Sequence, residues 1–367
     1  MLQQEASTLG IELYFLDKSK DYPAGQLSNN VITGDFKNYD DVVAFGQEMD
    51  LITIEIENVN TDALKYLESK GKIVYPQSDV IKLIKDKGLQ KQFYKDNQIP
   101  TSNFVLMSGK ADILKAIQNK EISIPFVQKS RLAGYDGKGV AVISDEEDLS
   151  NLMDVPSVIE DLVDIEKELA VIIARNRKGE INIFPATEMV FNPAGNLLDY
   201  LICPTDISND QLEICNAIAQ KIITQLDMVG LLAIEFFLNK DGKIIINEVA
   251  PRTHNSGHHT IDANINSQFN LHLRSILNLP LGSTQLKKPA VMINLLGEPD
   301  HTGIPLYEGL GEALSLSEVY PHIYGKKMVK PLRKMGHLTI LADDLEVALE
   351  KMKIIKSKLK VKACQRS

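Results

Sequence analysis

Two glutamates in one short hairpin carry the first chemical signal. Asp241-Gly242 is the dipeptide of a two-residue type I′ turn, and the flanking runs 231–238 and 243–250 are apolar and strand-like. In the register such a turn imposes, Lys240 meets Lys243, and Glu235 lands opposite Glu248. Like charges facing each other across an antiparallel pair repel. Both sit among apolar neighbours (Ala233, Ile234 and Phe236; Ile245, Ile246 and Val249), where unpaired carboxylates are costly. A hard divalent cation held by both resolves the conflict, and Mg²⁺ bound by two carboxylates completes its shell with phosphate oxygens and water. The plainer alternative exposes one glutamate at a sheet edge and salt-bridges the other.

A second signal is the stretch 131–139, Arg-Leu-Ala-Gly-Tyr-Asp-Gly-Lys-Gly. Its glycines let backbone N–H groups approach an anion, and Lys129, Arg131 and Lys138 add positive charge. It joins strand to strand, so it is neither a Walker loop nor a dinucleotide fingerprint, both of which open a helix. A plain glycine-rich hairpin remains the alternative. A third is 247–259, which leaves a buried strand for a loop dense in Arg, His, Asn and Ser, where binding groups tend to sit. His254 and His258 have helical spacing, but Pro251 and Gly257 oppose a helix there. Hydrogen bonds to an anionic substrate fit this composition better than a zinc site.

The elements that must position these residues follow from periodicity. Runs at 12–16, 51–56 and 72–75 read as strands alternating with helices at 41–49 and 61–69, which predicts parallel βαβ units. A helix is expected over 79–95, stopped by Pro100. Strands are expected at 126–129, 140–143, 157–162, 168–174 and 181–190, a helix at 210–226, and another at 261–277. Residues 279–283 read as a linker into a smaller terminal unit. The lysine-rich 351–362 reads as a solvated helix face and frayed tail. The fold class is therefore mixed α/β and α+β. Residues 1–85 form a parallel-sheet α/β domain, 86–282 a central region, and 283–367 a small β-rich domain.

Composition bounds the rest. The 367 residues carry 40 Lys and Arg against 49 Asp and Glu, a net charge of −9, which disfavours nucleic acid as a partner. Mean hydropathy is −0.10, and no apolar run approaches the roughly 18 residues of a membrane helix. Residues 1–10 lack the features of a secretory signal. Cys203, Cys215 and Cys364 have no CxxC spacing and read as reduced thiols. A soluble cytoplasmic enzyme or ligand-binding protein is expected, with no membrane partner.

The strings TIEIENV (53–59), GYDGKG (134–139), NEVAPRTHNSGHHT (247–260) and RKMGH (333–337) resemble one family of the ATP-grasp superfamily, 5-(carboxyamino)imidazole ribonucleotide synthase of purine biosynthesis, over nearly the whole chain. The resemblance implies a central ATP-grasp fold and roles residue by residue. Lys87 and Lys129 would contact nucleotide phosphates under the backbone of Gly134, Tyr135, Asp136, Gly137, Lys138 and Gly139. Glu160, Asp161, Leu162 and Val163 would form the adenine hinge, and Glu168 would hold the ribose hydroxyls. Glu235 and Glu248 would hold Mg²⁺, or Mn²⁺ in its place, with Asn247 alongside. Glu55 and Glu57 would lie near the ribonucleotide's ribose or amine, and Lys326, Arg333 and Lys334 near its 5′-phosphate. Tyr135, Arg252, His254 and Asn255, with Lys326, would surround bicarbonate and the reacting amine. The substrates implied are ATP, bicarbonate and 5-aminoimidazole ribonucleotide, and the assembly implied is a homodimer.

Two departures accompany the match. Lys330 stands where many relatives have Arg, losing fork geometry. The family also opens with a strand and a GGGQLG-like turn, whereas this sequence starts inside the equivalent first helix. An upstream strand and turn are expected, and without them the strands at 12–16 and 51–56 would have unpaired edges. Two rivals stay open: another ATP-grasp ligase, such as the formate-using glycinamide ribonucleotide transformylase, and a nucleotide-binding protein without turnover.

Overall fold

Short apolar runs alternating with helical periods build the first quarter of the chain. The computed structural model describes residues 1–132, 139–192 and 197–364. It opens with α1 (Leu2–Thr8), β1 (Phe15–Asp17), α2 (Pro23–Leu27), β2 (Val31–Thr33), α3 (Tyr39–Gln47), β3 (Leu51–Ile52), α4 (Thr61–Ser69) and β4 (Ile73–Val74). β1 pairs with β2 and β3 with β4, both parallel, as two separate ribbons. Asn38 and Asn60 cap α3 and α4 through their side-chain oxygens. The strands expected at 12–16 and 51–56 are shorter than the pattern. Tyr14 turns to hydrogen-bond Glu12 at the surface, and after Ile52 the chain leaves the ladder, Thr53 bonding His272 at 2.7 Å.

The single helix expected over 79–95 is two, α5 (Ser78–Lys85) and α6 (Lys87–Asp96). Asp86 breaks it with an extended backbone, and its carboxylate caps the amides of Gly88 and Leu89. Next come β5 (Phe104–Met107), α7 (Lys110–Gln118), β6 (Phe126–Ser130), β7 (Val140–Ile143) and β8 (Ser157–Asp161). These strands form an antiparallel sheet in the order β5-β8-β6-β7, over a core that includes Phe126, Ile143 and Ile159.

The second half carries β9 (Ile165–Arg175), β10 (Ile181–Ile183), β11 (Thr187–Asn192), β12 (Leu197–Cys203), α8 (Asn209–Gln225), β13 (Gly230–Asn239), β14 (Ile244–Ala250), α9 (Thr260–Ala263) and α10 (Gln268–Ile276). The run 181–190 splits into two strands around Pro185, which cannot donate to a ladder, and β12 was not expected. The helix expected over 261–277 breaks where Asn264 pairs with Leu286 and Ser267 caps α10. The chain ends with β15 (Ala290–Leu296), β16 (Pro305–Glu308), α11 (Leu310–Leu314), β17 (Val319–Ile323), β18 (Lys334–Leu341), α12 (Leu345–Lys358) and β19 (Lys360–Ala363).

Among the described residues, one sheet runs β14-β13-β9-β11-β12-β15-β18-β17, with β10 on β9. Strands from beyond the 279–283 stretch thus continue the central sheet. α8 covers it through Ile222 and Ile223 against Leu232, Ile234 and Phe236, and α12 through Met352 and Ile355 against Leu338 and Ile340. The lysine-rich end is not frayed through Ala363: β19 pairs with β16, and Lys362 bridges Glu308 at 2.7 Å. α1 packs Leu2 and Ala6 on Phe269 and Leu273 of α10, and Glu5 accepts from Ser267 and Asn270.

Candidate functional site

The hairpin brings Glu235 opposite Glu248, but not by the turn expected. Asn239 donates to Lys243 O at 3.0 Å, so the loop has three residues, 240–242, closed by Gly242 at φ +78°. That loop alone would set Glu235 against Asn247. A β-bulge between Glu235 and Phe236 on β13 leaves Asn247 as the extra residue of β14 and restores the carboxylate pair. Asn247 and Glu248 are consequently successive half-buried positions, where strict alternation would turn one inward.

Cations reach this pair from the smaller sheet and α6. Lys87, on the first turn of α6, forms an ion pair with Glu248. Lys129 on β6 donates to Asn247 Oδ1 at 2.8 Å and lies 3.3 Å from Glu160. Burial alone would raise the Glu248 carboxyl, but Lys87 and Lys129 hold it well below the usual range. Glu235 goes the other way: burial raises it, and the charges of Glu248 and Glu168 raise it further. Its nearest basic group, His254 Nε2 at 3.6 Å, is itself pushed down to about 3 by burial and then by Arg252 and Lys334, so it stays neutral. Lys87 and Lys129 offset this only in part, and neither pairs with Glu235 directly, so a divalent ion shared with Glu248 fits that deficit. No cluster of three or more His, Cys, Asp or Glu ligands occurs among the described residues, which suits an ion taking its other ligands from phosphate and water. No α-helix joins His254 to His258, as Pro251 and Gly257 implied: Asn255–Gly257 between them is a 3₁₀ turn, His258 lies 5.6 Å from Phe269, and His254 faces Glu235.

The Glu160 side chain is an interior anchor rather than part of an open hinge. Its carboxylate takes Lys91 at 2.9 Å and Ser102 Oγ at 2.8 Å beside Lys129, and both Lys91 and Glu160 are almost fully buried. Asp161 ends β8, and Leu162 and Val163 follow it, Leu162 exposed. Glu168 on β9 is raised to about 7 by burial, which Lys129 partly offsets. Arg131, expected to add charge to the glycine loop, instead grips Asp86 with two hydrogen bonds of 2.8 and 2.6 Å. Gly139 sits at φ +79° and its carbonyl accepts from Ser130. Gly134, Tyr135, Asp136, Gly137 and Lys138 lie outside the described residues.

Arg252 forms a two-point ion pair with Glu57, joining the loop after β14 to the loop after β3. Glu55 keeps contact with solvent. Both polar atoms of the Asn255 side chain are buried without a hydrogen-bond partner, which a bound polar ligand would remedy. The loop between β17 and β18 carries Lys326 and Arg333 and leads into Lys334. Lys326 donates to Lys334 O at 2.6 Å, and Arg333 to Met328 O at 2.7 Å. Lys330 is exposed. Sequence reasoning missed Lys91, although it stands one helical turn from Lys87 on the same face of α6, a spacing that was there to be read.

Family models match in three consecutive stretches: a ribonucleotide synthetase preATP-grasp domain over 1–85, an ATP-grasp domain over 92–269, and a phosphoribosylaminoimidazole carboxylase C-terminal domain over 290–351. The chain is 34% identical over 346 residues to N5-carboxyaminoimidazole ribonucleotide synthase of Bacillus subtilis, covering 93% of this chain and 88% of that one. It superposes on the crystal structure of N5-carboxyaminoimidazole ribonucleotide synthetase from Thermotoga maritima with TM-score 0.91 and 40% identity, covering 99% and 96% of the two chains. The Aspergillus clavatus synthase in complex with ADP and 5-aminoimidazole ribonucleotide matches at TM-score 0.88 and 28% identity, covering 97% and 94%. Against plant and yeast relatives named phosphoribosylaminoimidazole carboxylase, the chain spans only 62% and 64% of their length.

Proposed function

The chain belongs to the N5-carboxyaminoimidazole ribonucleotide synthase family of ATP-grasp ligases, and from that membership we propose how its residues divide the reaction. ATP and bicarbonate carboxylate the exocyclic amine of 5-aminoimidazole ribonucleotide, a step of purine biosynthesis that releases ADP and phosphate. A bicarbonate oxygen attacks the γ-phosphorus, the bond to the bridging oxygen breaks, and ADP leaves carboxyphosphate. The amine nitrogen then attacks the carboxyl carbon, directly or after CO₂ is released. Phosphate departs with the C–O electron pair and can take the proton the nitrogen loses.

The observation that carries this reading is the facing pair Glu235 and Glu248, met from across the cleft by Lys87 and Lys129. Mg²⁺, or Mn²⁺, held by the two carboxylates would supply charge neutralisation on the transferring phosphoryl group. Lys87 would leave Glu248 for a phosphate oxygen, and Lys129, steadied by Asn247 and Glu160, would point a second ammonium at the same charge. Glu168 would accept from the ribose hydroxyls, and 160–163 would present backbone to the adenine. Tyr135 and residues 134–139 would cover the phosphates and keep water from carboxyphosphate. Arg252, oriented by Glu57, would hold bicarbonate with His254 and Asn255, while Lys326, Arg333 and Lys334 take the 5′-phosphate and Glu55 lies near the amine. A cytoplasmic homodimer belongs to the same proposal.

Phosphate release measured with and without 5-aminoimidazole ribonucleotide and bicarbonate tests it. Release that needs all three substrates is expected. Formate-dependent release, or ATP binding with no ribonucleotide-stimulated turnover, would overturn the assignment.

A further inference from the structure

Four aromatic rings line up between α10 and the β17–β18 hairpin, and three of them are imidazoles. His258, after β14, lies tilted 4.9 Å from His337 of β18, which stacks 4.5 Å from His322 of β17; Phe269 of α10 closes the other end. His337 is fully buried and His258 and His322 half-buried, and each imidazole has two ring nitrogens to satisfy.

The hydrogen bonds around the column define a path. Gln268 Oε1 accepts the backbone N–H of His254 at 2.8 Å, and a backbone N–H can only donate, so the orientation of this amide is set. Gln268 Nε2 then donates to His254 O at 2.7 Å and to His258 Nδ1 at 2.9 Å. His258 Nδ1 is thereby an acceptor, and the ring is neutral with its proton on Nε2. Across the stack, His337 Nδ1 meets Tyr324 Oη at 2.9 Å, and Lys326 Nζ lies 5.4 Å from the centroid of the Tyr324 ring. His254 and Lys326, from two different loops, are linked through four side chains, Gln268, His258, His337 and Tyr324.

We propose that Gln268, His258, His337 and Tyr324 are positioning residues that set the spacing between His254 and Lys326, so that the site grips the ribonucleotide by its amine end and its phosphate end together. This rests on the function proposed above. The network demands a neutral imidazole at His258. An imidazolium at His258 would direct an N–H at the Gln268 amide N–H, and would face His254, His322, His337 and Lys334; His337 faces His259, His322 and the terminal amine. Asp262 lies at the far end, 2.8 Å from His322 Nε2. Burial keeps both His258 and His337 well below the ordinary histidine range.

Tyr324→Phe removes one hydroxyl and leaves the ring beneath Lys326. It should raise the KM for 5-aminoimidazole ribonucleotide about tenfold, leave the ATP KM unchanged, and leave the KM of the phosphate-free nucleoside unchanged, because only a two-ended ligand senses the spacing. Gln268→Glu replaces the donor to His258 with an acceptor and should move the acid limb of the ribonucleotide kcat/KM profile to higher pH, with Gln268→Asn lacking that shift. Equal losses for nucleotide and nucleoside, or an unshifted acid limb in Gln268→Glu, would overturn the proposal. A wild-type protein with no ribonucleotide dependence would instead overturn the function on which it rests.

Discussion

The Lys91 ammonium lies 2.9 Å from the Glu160 carboxylate, with hardly any of either side chain reaching solvent. Glu160 in turn faces Lys129, whose tip holds Asn247 on the far sheet. The interior pair thus steadies a lysine that bridges both sheets. Lys91 makes two more hydrogen bonds, to Thr101 and Ser102, so its donors are satisfied without a ligand.

Lys91→Met is expected to raise the ATP KM by about ten- to a hundredfold, the weight of a charged hydrogen bond, with a smaller effect on the ribonucleotide KM. Steady-state kinetics with each substrate varied would check the split.

Burial lowers Lys91 to about 8, against the attraction of Glu160. Above that value the unfolded chain binds more protons than the folded one, so this group adds stability as pH rises from about 8 toward 10.5. The ion pair that steadies Lys129 is lost over the same window. ATPase activity should therefore fall through pH 8 to 9 with no matching loss of Tm from this group, which a pH–rate profile beside thermal melts would reveal. Lys91→Met should lose that basic limb.

The carboxylate pair is asymmetric. Glu248 has Lys87 as a partner, whereas Glu235 is raised by burial and by neighbouring negative charge. A raised carboxyl contributes stability that is present below its unfolded value and is lost as pH rises through its folded value. Glu235→Gln should accordingly raise the metal-free Tm at pH 8 and flatten its pH dependence, while Glu248→Gln strands Lys87 and should not. Both should abolish Mg²⁺-dependent ATPase. Differential scanning calorimetry with and without Mg²⁺·ADP distinguishes the two.

Arg333→Ala should weaken ribonucleotide binding by about 1.5–3 kcal/mol and leave the ATP KM nearly unchanged. A comparable rise for both substrates would return Arg333 to supporting its loop through Met328.

Much of the site was legible because its chemistry is local. The facing glutamates were found from one dipeptide and a register count, although the count succeeded only because the three-residue loop and the bulge at Asn247 shift the register by one residue in opposite senses. The one mark of the bulge in the sequence is the adjacent polar pair Asn247-Glu248, where strict alternation would put an apolar residue. The break at Asp86 was likewise hidden, since apolar periodicity runs on across it; an Asp with backbone amides to cap was the clue. Lys91 was open to reading from its i, i+4 spacing to Lys87, but the imidazole column depends on which distant segments meet, and strand order is absent from periodicity.

The boundary at 279–283 marks a change in sequence and not a place where the protein can be cut. β12 and β15, on either side of it, pair as Leu201 with Met292 and Cys203 with Ala290, all of them sealed from water. Separating the pieces would leave two long apolar strands with bare backbone edges, each a template for aggregation. The terminal segment is therefore not an exchangeable cassette. In any fusion, fission or circular permutation it must travel with the ATP-grasp sheet, and its β17–β18 hairpin keeps one fixed geometry to the carboxylate pair because both hang from the same ladder of strands.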